Sequence, residues 1–76
     1  MEIWLYELKQ GQEGLLLRPP EEGKIGERLS QFGLIHQTPL RCRRESLRGG
    51  PMILRVRGTD LVLRKELCQR LRVWVQ

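Results

Sequence analysis

Few side chains in this 76-residue sequence could do chemistry. His36 is the single histidine, Cys42 and Cys68 are the only cysteines, Ser30 and Ser46 the only serines, and Asp60 the only aspartate. Nucleophilic catalysis needs a base within reach of the nucleophile and a third group to orient that base, and so sparse a set does not supply one. Asp60, flanked by Gly58 and Thr59, reads as turn chemistry rather than as an acid. Glu21 and Glu22 are the one adjacent carboxylate pair and read as a solvated helix start. His36, Cys42 and Cys68 are the only soft metal-ligand types, and no two stand at finger or i, i+4 spacing. Each cysteine lies beside core-type residues, so both read as small buried hydrophobes rather than a disulfide or a ligand pair. The glycine stretches GQEG (11–14) and RGGP (48–51) are too short for a phosphate cradle. No enzyme activity, no metal site and no cofactor are expected.

Arginine is what the sequence offers in abundance. Residues 1–38 hold four Lys or Arg against six Asp or Glu, a balance of −2, and residues 39–76 hold ten against three, a balance of +7, which together give the net +5. Such a field attracts nucleic acid, anionic headgroups or an acidic protein surface. It also describes a solvated sheet face that charge protects from edge pairing. Small β-barrels that bind single-stranded nucleic acid combine a basic groove with stacking aromatics. The aromatics here are Trp4, Tyr6, Phe32 and Trp74. Phe32 is assigned to the core, only Trp74 beside Arg72 reads as an outward stacker, and the expected interleaving is missing.

The elements that must carry these residues follow from periodicity. LLLR at 15–18 lies between glycines and Pro19-Pro20, which is strand punctuation. Ile25, Leu29 and Phe32 fall at i, i+4 and i+7 and predict a short helix over 24–32. Gly33 stands where a left-handed cap is wanted, and Leu34 where an apolar residue folds back on the last turn. Thereafter the period is two. Leu40 and Cys42 face in against Arg41 and Arg43; Met52, Leu54 and Val56 face in against Arg55 and Arg57; Leu71, Val73 and Val75 face in against Arg72 and Trp74. RGGP is a hairpin tip and Gly58–Asp60 a second, tighter one. Leu63, Leu67 and Leu71 recur every four residues, so one helical turn leads into the last strand. The expected fold is mainly β: a small, strongly bent, partly open five-stranded barrel with one inserted short helix, forming a single domain over 1–76. Leu29, Phe32, Leu54, Val56, Leu63 and Val73 are its expected core. A chain of this size buries only about 60–65% of its unfolded surface. No apolar run approaches the ~20 residues of a spanning helix, and the acidic start MEIWLYELKQ is unlike a secretory signal, so a cytoplasmic location is expected.

Three ordered stretches resemble a known family. LYELKQGQEGLL (5–16) is similar to L-x-x-L-x-x-G-x-x-G followed by an apolar strand. RLSQFGL (28–34) is similar to a helix ending R-L-x-x-[MF]-G-L, and ILRVRGTDLVLRKELCQRLRV (53–73) to a strand, V-x-G, L-[AV]-L-R and a short helix into the last strand. Together they resemble the ferrous-iron transport protein A family, FeoA, over about residues 5–75. The resemblance implies an SH3-like barrel and a non-enzymatic accessory protein of ferrous-iron uptake. Its implied partner is the cytosolic region of the FeoB-type transporter, whose assembly or GTP-linked activity it would modulate. The residues themselves lead to no expected nucleic-acid partner and no membrane insertion. With the +7 second half, it makes Arg41, Arg43, Arg55 and Arg57 the expected electrostatic contact, with His36 near the variable loop. Two departures stand out. Ile35-His36-Gln37-Thr38 occupies the place of the family's Pro-Gly turn, and Ser46 stands where the first long hairpin often has proline. The rival readings are a nucleic-acid module, a metal-sensing protein using His36 or the cysteines, and weak self-association through open sheet edges.

Overall fold

The computed structural model describes residues 1–17 and 24–76. Six strands form one antiparallel sheet: β1 Glu2–Trp4, β2 Glu13–Leu16, β3 Pro39–Arg44, β4 Met52–Val56, β5 Thr59–Leu63 and β6 Arg72–Trp74. Their order in the sheet is β1-β6-β2-β3-β4-β5, so β1 and β5 are the edges. Helix α1 spans Lys24–Gln31 and the single-turn helix α2 spans Lys65–Cys68, while a 3-10 turn at Leu5–Glu7 follows β1. The sheet bends around one core of Leu5, Leu8, Leu16, Leu29, Leu34, Leu40, Cys42, Met52, Leu54, Val56, Leu63, Cys68, Leu71, Val73 and Val75.

The period-two reading places β3, β4 and β6 with the expected faces: Leu40, Cys42, Met52, Leu54, Val56 and Val73 are buried, and the arginines between them point out. The sixth strand, β1, pairs Glu2, Ile3 and Trp4 with Trp74, Val73 and Arg72. Only Ile3 of the three is turned toward the core, too short a signal for periodicity to register. Gly14 lets β2 close on β6, since a Cβ there would stand 3.0 Å from the Trp74 carbonyl oxygen. The expected features at Arg18 to Glu22, and the side chain of Ile25, lie outside the described residues.

Helix α1 ends as its sequence predicts. Gly33 is at φ 80°, its N–H donates to the Ser30 carbonyl at 2.9 Å, and the Leu34 N–H donates to the Leu29 carbonyl at 2.8 Å. These two bonds define a Schellman cap and fold Leu34 into the core. The same geometry corrects the expectation for Phe32. It is the last residue before the left-handed glycine, it lies outside the apolar stripe, and it is 52% exposed rather than buried. The β4–β5 turn is also corrected. Its central residues are Arg57 (φ 52°) and Gly58 (φ 79°), a type I′ pair flanked by Val56 opposite Thr59. Asp60 is therefore a strand residue rather than a turn residue.

Candidate functional site

On the outer face of the sheet, register fixes a row of charges. Glu13 stands opposite Arg41, Arg41 opposite Arg55, and Arg55 opposite Asp60, across β2, β3, β4 and β5. Arg41 Nη2 donates to Glu13 Oε1 at 2.8 Å, and Arg55 Nη1 donates to Asp60 Oδ1 at 3.0 Å. The two arginines repel across β3–β4, and each has a carboxylate on its outer side. These pairs are solvent-exposed, so each contributes about 0–1 kcal/mol and exchanges readily with other anions. Asp60, unremarkable as a turn residue in the sequence, is thus the counter-charge of Arg55.

Arg43 owes its position to an irregularity that periodicity does not reveal. The β3–β4 register shifts between Cys42 and Arg44, so Arg43 and Arg44 share one opposing residue, Ile53, and both face solvent. Arg57 stands at the β4–β5 turn with its guanidinium against Gly33, within 3.2 Å of where a Cβ on that glycine would be. It lies at the C-terminal end of α1, where the helix dipole favours a cation. Among the described residues neither Arg43 nor Arg57 has a carboxylate partner. His36 is exposed on the loop that follows Gly33. The structure thus brings Arg41 and Arg55 side by side, sets Arg43 beyond them at the bulge, and puts Arg57 and the His36 loop around the end of α1. No hydrogen bond or ion pair joins His36 to the four arginines.

The 35–38 loop keeps a turn without proline or glycine. The Thr38 N–H donates to the Ile35 carbonyl at 3.1 Å, and Gln37, the third residue, is at φ 69°. A positive φ at that position alone is type II geometry, the one that Pro-Gly fits best. Buried Thr38 holds the loop shut: its hydroxyl accepts from the Ile35 N–H at 3.1 Å and donates to the Gly33 carbonyl at 3.0 Å.

Cys42 and Cys68 are free and buried. Desolvation pushes the Cys42 thiol up, with Glu45 adding to it. Desolvation, with Cys42 adding to it, pushes Cys68 up to about 12. Both are buried thiols, which makes them poor nucleophiles. The described residues hold no group of three or more His, Cys, Asp or Glu placed to bind a metal ion. On the β1–β6 face, Arg72 Nε donates to Glu2 Oε2 at 2.7 Å and its guanidinium lies over the Trp4 ring, 4.1 Å from the centroid. Trp74 points outward as expected.

Sequence reasoning missed a groove of about 590 Å³ between α1, the end of β5 and α2. Exposed Phe32 and Val62 line it, with Leu29, Leu63 and Leu67 and the charged residues Arg28, Arg64, Glu66 and Arg70. The readable signal was Phe32 itself, since a residue immediately before a left-handed cap need not continue the buried stripe.

A family model described as the FeoA domain matches residues 3–75. None of the curated proteins matches the chain. Among solved structures, a crystal structure of an iron uptake regulatory protein (FeoA) is 26% identical, with 97% of each chain covered and a TM-score of 0.88. The solution structure of the FeoA protein from Chlorobium tepidum is 25% identical, with 96% of this chain and 70% of that one covered and a TM-score of 0.86. A zinc complex of FeoA from Stenotrophomonas maltophilia is 21% identical, with 93% and 88% covered and a TM-score of 0.75. That protein is described as a prokaryotic SH3 domain protein and a suggested ferrous-iron transport activating factor. The bent sheet around one core is accordingly an SH3-like barrel, with six strands among the described residues where five were expected. No helix among the described residues is long and apolar enough to cross a membrane.

Proposed function

Because the chain belongs to the FeoA domain family, we propose that it is a non-enzymatic cytoplasmic accessory protein of ferrous-iron uptake. It binds the cytosolic region of a FeoB-type transporter and modulates that protein's assembly or GTP-linked activity. The observation that carries this reading is the family match over residues 3–75, on a fold shared with FeoA structures along nearly the whole chain. SH3-type barrels serve as interaction modules, and the chemistry of this one supports binding over catalysis. Its thiols are protonated and buried, and its exposed chemistry is mainly guanidinium.

The contact we assign is Arg41, Arg43, Arg55 and Arg57, with His36 on the adjoining loop. The four arginines differ in readiness. Arg43 and Arg57 are open to a partner's carboxylates, whereas Arg41 and Arg55 must first release Glu13 and Asp60. Titration of the protein against the isolated cytosolic domain of a FeoB-type transporter, with and without guanine nucleotide and at two salt concentrations, tests this. Saturable binding that salt weakens is expected, and Arg43→Glu or Arg57→Glu should reduce affinity more than Arg55→Glu. Absence of binding at low salt by demonstrably folded protein would overturn the reading.

A further inference from the structure

The groove between α1, β5 and α2 is a second interaction surface, and we infer that it binds an acidic peptide segment carrying a bulky apolar residue. This inference does not rest on the transporter reading, because it uses none of the residues assigned to that contact. Three observations carry it. The groove has apolar walls that folding does not require. Val62 is 65% exposed on an edge strand, and Phe32 is more than half exposed at the end of α1. Two large apolar side chains in one recess mark a surface that a partner covers. The floor beneath them is hydrophobic, with Leu29 and Leu63 belonging to the core and Leu67 packed against it. At about 590 Å³, the recess falls within the ~300–1,000 Å³ typical of binding pockets.

The third observation is charge. Among the described residues, Arg28 and Arg64 share the lining with one carboxylate, Glu66. Among the described residues Arg28 and Arg64 have no ion-pair partner. Arg28 and Arg64 are exposed beside the apolar floor, so a partner's carboxylates can reach both as charge-assisted hydrogen bonds. The complement is an apolar residue flanked by Asp or Glu, with the apolar side chain between Phe32 and Val62 and the carboxylates at Arg28 and Arg64. A flat anionic membrane carries the right charge and the wrong shape, since Leu29 and Leu63 lie recessed and nearly inaccessible.

The test is selection from a phage-displayed library of random 12-residue peptides on the intact chain. The selected peptides are then synthesised and titrated by fluorescence polarisation. Enrichment of Leu or Phe flanked by Asp or Glu is expected. Phe32→Ser and Arg64→Glu should each weaken the selected peptide by about tenfold or more. Arg44→Glu, which changes net charge equally at a residue outside the groove lining, should leave its affinity unchanged. Circular dichroism verifies that each variant is folded, and all three replaced side chains are exposed. No enrichment, enrichment without acidic residues, or equal losses in all three variants would overturn the inference. So would binding of phosphatidylglycerol vesicles that requires Phe32, which assigns the surface to a membrane. Concentration-dependent sedimentation that Phe32→Ser abolishes would assign it to a second copy of this chain and overturn it as well.

Discussion

Phe32 and Leu34 stand two residues apart and face opposite environments. The Schellman cap turns Leu34 into the core and leaves Phe32 outside it. Truncating a fully buried leucine costs about 2–5 kcal/mol through lost transfer energy and the residual cavity, whereas a half-exposed side chain leaves no enclosed cavity. Phe32→Ala should therefore lower unfolding free energy by about 1 kcal/mol or less, and Leu34→Ala by about 2–5 kcal/mol, in paired urea titrations. A loss of about 3 kcal/mol or more at Phe32 would contradict its exposed placement. The arginines teach a related lesson. Alternation in PLRCRRE and MILRVR shows which face Arg41 and Arg55 occupy. Their partners, Glu13 and Asp60, depend on strand register, which alternation does not encode.

Among the elements, the 35–38 turn carries the clearest strain. Gln37 holds a left-handed φ that costs a residue with a side chain about 1–2 kcal/mol. Its N–H is committed to the Leu16 carbonyl, and the Thr38 carbonyl accepts from the Leu16 N–H, so the turn is locked onto β2 and has no freedom to relax. Gln37→Gly should raise stability by roughly 1 kcal/mol, measured as a higher urea midpoint at unchanged slope. A lower midpoint would mean that the Gln37 side chain contributes more than its backbone costs. The residue types that obscured this turn in the sequence are the ones that strain it. Elements with strong local codes were legible: α1 through its spacing and glycine cap, β3, β4 and β6 through alternation, α2 through Leu63, Leu67 and Leu71. What escaped was set by distant partners. β1 exists because β6 pairs with it, the Arg43 bulge appears only in the β3–β4 register, and the groove exists because α1 and α2 meet the end of β5.

Over the whole molecule, folding undoes part of the charge separation written along the chain. Glu2 reaches Arg72 and Glu13 reaches Arg41, so carboxylates of the acidic first half neutralise guanidiniums of the basic second half. The excess positive charge is left at the bulge, around the end of α1 and in the groove. Stability of the whole fold also carries a pH signature from its two core thiols. An unfolded cysteine ionises near its ordinary value of 9.0, whereas folded Cys68 holds its proton to about 12. Between those values the native state binds more protons than the unfolded state, so stability falls as pH rises. Cys68 alone contributes a slope of up to about 1.4 kcal/mol per pH unit. Cys68→Val should flatten the decline of unfolding free energy between pH 9 and 12. An unchanged decline would show that the thiol ionises as readily folded as unfolded.

The pairing of the two ends has a mechanical consequence. The Met1 amine donates to the Val75 carbonyl at 2.6 Å, the Val75 N–H donates to the Met1 carbonyl at 2.8 Å, and the β1–β6 ladder continues inward from there. Tension applied at residues 1 and 76 pulls along these hydrogen bonds, which lie perpendicular to antiparallel strands. It loads them one rung after another instead of all together. The barrel therefore unzips from this seam under a small force, while the long β3–β4–β5 meander behind it stays unloaded until the seam has parted.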